Sequence, residues 1–543
     1  MQRIGGFVAA VFCAAALAVA VPAAAGGRTA VDEAFEAAQW AYLSSAGKAL
    51  RQLGLRAAGG SPELGDLIRQ RQDLLELLAG KEAQARGAGD AALVLLRGEI
   101  DSLRAEIAAL DARLAAEFPG YGELAEPQPL AIADVQALLR DDEALLFFLP
   151  GSANTHIWAI GRDDVAWYRA PLWTDWLGEE IANLRKDLDP NGASRGAITL
   201  VEGMDRPRIA AFDRTNAFFL YTQLIEPVER VLAGKSHVFV VADGPLGSLP
   251  LSVLVSERPK GADTDPAAMR DSAWLARRFA FTTLPSVDSL SVVRGTPPAE
   301  TQGAREPFRG FGAPVIGIGA GEAMLASAPA ESFFRGALAD VASVRALPAL
   351  PQTGPELTRL AAALGAPQEA VLLGAHATEQ AVKGADLSHA SVLAFATHGL
   401  LSGDLPGLAE PALVLTPPDI ATQEDDGLLT ASEVAALKLS ADWVILSACN
   451  TAGGDGRPDA EGLSGLARAF LYAGARAILV SHWPVRDDAA ARLTTGAIAA
   501  IGDGVGRSEA LRRAMLALMQ DESDPSLAHP SAWAPFVVVG AGA

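Results

Sequence analysis

From residue 237 to the C-terminus, short apolar runs alternate with stretches of helical periodicity, and this alternation constrains the fold more than any other feature of the chain. The runs cover residues 237–242, 315–318, 391–397, 441–448, 476–481 and 533–539, with helical patterns near 354–364, 463–473, 487–501 and 508–519. Strands buried on both faces read as continuous apolar runs, and helices between them provide the crossovers that parallel pairing needs. The expected fold class is therefore α/β, a mostly parallel sheet flanked by helices. In such sheets the functional residues sit on loops beyond the carboxyl ends of the strands.

The upstream third has another texture. Residues 29–117 are rich in Ala, Leu, Arg and Glu and hold a single proline, Pro62, which is the composition of long helices. Leu96, Ile100, Leu103, Ile107, Leu110 and Leu114 step by alternating fours and threes, a stripe that buries one helix face against a partner. Leu64, Leu67, Leu74 and Leu78 carry a similar stripe, and the glycine-interrupted segment 80–89 between them predicts a helical hairpin; a dimeric coiled coil would use the same seam. No 34-residue tetratricopeptide period is visible. After Pro119-Gly120, apolar strands at 144–149, 157–160 and 165–168 precede a helix-rich stretch over 173–232. The expected organisation is a leader (1–25), a helical hairpin or coiled-coil region (26–118), a small sheet with helices (119–236) and the main α/β domain (237–543).

Arg3, the apolar run 4–21 and Pro22-Ala23-Ala24-Ala25 read as a secretory signal peptide, cleaved near Gly26. An uncleaved anchor is the rival reading, because the run is marginally long enough to span a bilayer. No later stretch reaches the ~18 apolar residues a span needs, so an exported protein, periplasmic or extracellular, without a membrane span in the mature chain is expected. With 44 Lys and Arg against 65 Asp and Glu, the net charge of −21 argues against nucleic acid or anionic lipid as partners.

Of the two cysteines, Cys13 lies in the leader, so the mature chain carries one thiol, Cys449. It cannot form an internal disulfide and is either an inert filler or a reactive group. The strand 391–397 delivers His398-Gly399, and the strand 442–448 delivers Cys449-Asn450-Thr451. If the two strands are parallel neighbours, imidazole and thiol meet at one sheet edge. The pair makes chemical sense because a free cysteine is only slightly ionised at neutral pH and needs a base beside it. The backbone N–H groups of Gly399 and Cys449 would supply a two-donor oxyanion hole.

Ala396-Thr397-His398-Gly399 and Leu446-Ser447-Ala448-Cys449-Asn450-Thr451 resemble the two signature blocks of the CHAT domain, a caspase and separase relative. The 51-residue spacing of His398 and Cys449 is close to that of caspases. Blocks 427–432, 465–470, 472–476, Ser481-His482-Trp483-Pro484-Val485 and Trp533-Ala534-Pro535-Phe536 agree with the same family, and the resemblance is strong over 237–542. It implies a caspase-like fold and a cysteine endopeptidase without cofactor, with His398 as general base, Cys449 as nucleophile, a thioester intermediate and a protein or peptide substrate. Members often carry tetratricopeptide repeats upstream, a pattern from which this chain departs. A different class of answer is a catalytically silent scaffold or interaction module whose helical region binds a protein partner. A periplasmic ligand-binding protein would need two similar lobes, and no internal duplication is seen.

Substrate preference is expected to lie in the loop 481–488, where Trp483 would wall a pocket and Asp487 or Asp488 would pair a basic P1 side chain; the competing role for both acids is to cap the following helix. His156, His237, His376, His389, His482 and His529 lack metal-ligand spacing, so no metal is expected. The glycine-rich stretches 310–321 and 502–506 match no nucleotide fingerprint and read as turns. The acidic stretch 417–426 reads as an exposed loop. An exposed thiol in an oxidising compartment also suggests redox gating.

Overall fold

The computed structural model describes residues 29–42, 90–117, 129–189, 210–242, 244–295, 305–317, 334–335, 338–339, 341–400, 411–422, 424–447, 465–502 and 504–542, with isolated helical positions between 67 and 81. The expected signal peptide, residues 1–25, lies outside these residues. Helix α1 (Ala30–Ala41) opens on a capping box in which the Thr29 side chain accepts from the Asp32 N–H and the Asp32 carboxylate accepts from the Thr29 N–H. Helix α2 (Asp90–Glu117) buries Ile100, Leu103, Ile107 and Leu110 along one stripe, and the Lys81–Glu99 and Arg71–Asp111 ion pairs join it to upstream positions.

Helix α3 (Ile132–Leu138) precedes β1 (Glu143–Pro150), β2 (Thr155–Gly161) and β3 (Val165–Ala170), followed by α4 (Thr174–Leu188) and α5 (Arg214–Leu224). Then come β4 (His237–Val241), β5 (Ala280–Thr283), β6 (Glu306–Gly312), α6 (Thr353–Ala363), β7 (Val371–Leu373), α7 (Glu379–Gly384) and β8 (Ala390–Ala396). Strands β9 (Gly399–Leu400), β10 (Ala412–Val414) and β11 (Leu428–Thr430) form a small antiparallel sheet. The chain closes with α8 (Ala431–Ala436), β12 (Trp443–Ser447), α9 (Gly465–Ala473), β13 (Ala477–Ser481), α10 (Asp487–Ile501), α11 (Arg507–Gln520) and β14 (Phe536–Gly540).

The central sheet has eleven strands in the order β3-β2-β1-β4-β5-β14-β13-β12-β8-β6-β7. It holds two parallel blocks running in opposite directions, with β2 and β3 added antiparallel beside β1. Strands β1, β4, β5 and β14 run one way and β13, β12, β8, β6 and β7 the other, joined by antiparallel pairing of β13 with β14 from Ala477↔Gly540 to Ser481↔Phe536. One edge therefore collects the carboxyl ends of β8, β12 and β13 together with the amino ends of β1, β4, β5 and β14.

Helices cover both faces, as the uninterrupted apolar strands require. Ala394, Ile445 and Leu479 pack in one core with Leu357 and Leu360 of α6 and Leu493 of α10, while Phe395, Leu446 and Val480 pack on the other face with Leu466 and Phe470 of α9. Phe311 stacks on Phe395 at 5.5 Å between ring centres. Beyond the seam, α1 lies against β1 and β2, with Phe35 and Tyr42 edge-on to Phe147. Residues whose composition alone suggests a separate helical region thus contribute to the sheet core. No helix among the described residues is long and apolar enough to cross a membrane.

The strand expected at 315–318 is instead β6, Glu306–Gly312. Its Pro307, Gly310 and Gly312 look like turn residues, but the glycines are where neighbours come close. A methyl group at Gly310 would sit 2.8 Å from the Phe308 ring, and one at Gly312 would sit 2.4 Å from the Ala396 carbonyl and 2.7 Å from Leu357. Strands β5 and β7, only four and three residues long, have no counterpart in the sequence reading. The last strand begins at Phe536, because Trp533 ends a helical turn, Pro530–Trp533.

Candidate functional site

Strands β8 and β12 are parallel neighbours, and their register sets Ala396 opposite Ser447. The two sequence blocks therefore leave the sheet side by side. Beyond Ala396 the chain stays tied down: the Thr397 N–H donates to the Ser447 carbonyl (3.3 Å), the buried Thr397 hydroxyl donates to the Val414 carbonyl, and the Val414 N–H donates to the His398 carbonyl (2.9 Å). His398 is thus held by its backbone between the main sheet and the small one.

The His398 ring is half-buried, and its Nε2 lies 2.7 Å from the carbonyl oxygen of Pro348, in the segment leading into α6. A carbonyl can only accept, so Nε2 carries a hydrogen, and a neutral ring so bonded has its lone pair on Nδ1. The arrangement fixes the orientation of the ring. No side-chain pattern could have announced it, since the partner is a main-chain oxygen contributed 50 residues upstream.

Gly399 pairs with Leu413, and the ladder bond uses the carbonyl of His398 rather than the amide of Gly399. Gly399 therefore occupies a non-hydrogen-bonded position of the antiparallel pair, with its N–H directed away from β10. Cys449, with Asn450 and Thr451, lies outside the described residues; the strand leading to it is described to Ser447.

The loop after β13 reaches the same edge, but His482 and Trp483 face inward and Asp488 pairs with Arg486. Trp483 has no exposed surface and its indole N–H donates to the Ser531 carbonyl (3.0 Å). Asp487 heads α10. Asp488 accepts a bidentate pair from Arg486 (2.9 and 2.7 Å), which also reaches Asp524 at 3.0 Å, and the Arg486 guanidinium holds the Asp488 carboxyl below its ordinary range. His482 is buried, and desolvation together with nearby Arg185 pushes its imidazole down to about 3, so it is neutral. Arg185 donates to the carbonyls of Ser248 and His482, 2.7 Å each, fastening α4 to this loop.

Two of the other histidines have local tasks. His237 bonds the Thr282 hydroxyl (2.7 Å) and faces Glu143, and His156 stacks near Trp158 and Trp167. The exposed acidic loop is pinned at both ends. Arg345 binds Asp419 (3.0 Å) and the Pro418 carbonyl (3.1 Å), while Glu379 accepts the N–H groups of Asp426 (2.8 Å) and Gly427 (3.2 Å). Ile420 between them is 80% exposed.

Residues 216–541 match the model of the CHAT domain. The chain belongs to the CHAT domain family. Two relatives are each named tetratricopeptide repeat protein 28: the Mus musculus protein is 28% identical over 367 residues and the Homo sapiens protein 27% identical over 379. The matches take in 59% and 61% of this chain but only 13% of either relative's length. Among solved structures, the separase–securin complex of Saccharomyces cerevisiae aligns with a TM-score of 0.42 at 9% identity, over 75% of this CHAT protein and 30% of that chain. The Arg-specific cysteine proteinase gingipain R aligns with a TM-score of 0.31 at 10% identity, over 61% of this chain and 66% of that one.

Proposed function

We propose that this CHAT protein is a caspase-like cysteine endopeptidase in which His398 is the general base and Cys449 the nucleophile. The observation that carries the reading is the register of β8 and β12: Ala396 stands opposite Ser447, and His398 and Cys449 each follow two residues later in their chains. The Pro348 carbonyl supports it by leaving His398 Nδ1 as the basic nitrogen. Cys449 Sγ gives its proton to His398, and the thiolate adds to the substrate carbonyl. The oxyanion is met by the N–H groups of Gly399 and Cys449. Collapse to a thioester expels the amine, which takes the proton from His398. Water, deprotonated by the same imidazole, then releases the acid. No step calls for a cofactor. Export through the leader, and redox gating of the thiol that would follow, belong to the same proposal.

The second reading is a catalytically silent CHAT scaffold. It is favoured by likeness to proteins named for tetratricopeptide repeats and by a helical region that offers a protein partner a surface. Measuring the alkylation rate of Cys449 by iodoacetamide from pH 5 to 9, in wild type and His398→Ala, separates the two. Rapid labelling near neutral pH that collapses in the variant is expected of the peptidase. Slow labelling that ignores His398 belongs to the scaffold.

A further inference from the structure

A buried carboxylate lies beside the strand end that leads to Cys449. Glu356 stands in the first turn of α6 and is only 1% exposed. The Ser447 hydroxyl donates to its Oε2 at 3.1 Å, and Thr494 Oγ1 of α10 lies 2.7 Å from its Oε1. Three elements, α6, β12 and α10, thus meet on one side chain.

Burying a carboxyl group this completely is costly unless its oxygens are satisfied, and an apolar residue would fill the same space without that cost. The environment is organised around it. The amino end of α6 favours negative charge, and Gly310 and Gly312 of β6 let α6 approach until Leu357, next to Glu356, meets the sheet. Ser447 is itself 91% covered and is the last described residue of β12. The segment entering α6 also supplies the Pro348 carbonyl to His398, so nine residues of chain touch both His398 and the described end of the strand that leads to Cys449.

We infer that Glu356 is a positioning residue: through Ser447 it fixes the carboxyl end of β12, the strand that leads to Cys449, against the same segment that orients His398. This deepens the peptidase reading and rests on it for its purpose. Its geometry does not depend on that reading.

The test uses the full reduced chain and follows iodoacetamide alkylation at Cys449 by peptide mapping, with melting temperature recorded for each variant. Ser447→Ala and Glu356→Ala are each expected to slow alkylation at pH 7 about tenfold, since a misplacement of about an ångström is felt strongly at a reacting centre. The double variant is expected to be no slower than the slower single one, because the pair acts as one unit. Ser447→Thr keeps the hydroxyl and is expected to restore the rate. An unchanged or faster rate in folded Ser447→Ala, or effects that multiply independently in the double variant, would overturn the inference. Should Glu356→Ala fail to fold, the Ser447→Ala and Ser447→Thr pair still decides. His398→Ala is a separate arm: a rate indifferent to His398 sinks the peptidase reading while leaving the Ser447 comparison legible, and the reverse outcome sinks only the role of Glu356.

Discussion

The two halves of the central sheet bring a histidine to the same edge and treat it in opposite ways. In the first half His237 opens β4 beside Glu143, which opens β1; the ring bonds Thr282, and Arg294 and the Arg140 N–H complete a closed polar cluster. Burial raises the Glu143 carboxyl, but His237 nearby and the hydrogen bonds of the Arg140 N–H and Arg294 outweigh it and hold the group at about 2. In the second half His398 follows the carboxyl end of β8, half-buried, with one nitrogen bonded to a carbonyl. The difference follows from strand direction. At an amino end the chain enters the sheet, and polar groups there serve to close it. At a carboxyl end the chain leaves in loops, where a side chain can be oriented and still be reached.

The largest expected effect breaks this comparison directly. His398→Ala should reduce peptide turnover and neutral-pH alkylation of Cys449 by about 10² to 10⁴, the usual contribution of a general base, and barely move the melting temperature. A reverse pattern is expected for the first half. Arg294→Ala strips the buried Glu143 of its cation and should cost about 3 kcal/mol in denaturant titration, with alkylation unchanged in the folded protein. If Arg294→Ala instead silenced Cys449, the two halves would not be functionally separate.

The next two effects sharpen the boundary between the halves. Gly312→Ala should destabilise by about 2 kcal/mol through overpacking, and because its methyl group meets the Ala396 carbonyl it should also slow alkylation. Acid should loosen the seam first. His482 is pushed down to about 3 by burial and Arg185, and His529 to about 4 by burial, opposed by a backbone contact from Ala211. Both bind protons more readily unfolded than folded. Stability is therefore complete above the usual 6.5 and falls from there towards the folded values, by about 1.4 kcal/mol per pH unit for each histidine. Glu143 adds its own loss only lower, as pH drops from 4.5 to about 2. Replacing His482 by Phe should remove about half of the slope between pH 6.5 and 4 in thermal melts.

What could be read beforehand follows the same physics. Strands β8, β12 and β13 announce themselves because both faces are buried, and the helices around them keep a regular period. Strand β6 is hidden by the two glycines that let α6 approach, and the short β5 and β7 carry too little pattern. The placement of His398 and Gly399 just beyond a strand end is legible because the apolar run before them is unbroken. The Pro348 carbonyl is not, since main-chain oxygens leave no trace in residue type, nor is Glu356, which looks like any acid in a first helical turn. Burial is equally silent: nothing in the sequence distinguishes an indole lining a pocket from Trp483, which is enclosed.

The smallest effect concerns Asp488. As an exposed pair, Asp488–Arg486 is worth at most about 0.5 kcal/mol, so Asp488→Asn should leave the melting temperature nearly unchanged. A P1-binding role makes a different demand, because a substrate cation would have to displace a guanidinium already bound through two nitrogens at 2.9 and 2.7 Å. The expected result is an unaltered ratio of kcat/KM for basic over neutral P1 peptides in the variant. A selective loss with basic peptides would mean that Arg486 yields its partner on substrate binding, making this pair the switch by which the loop after β13 reads its ligand.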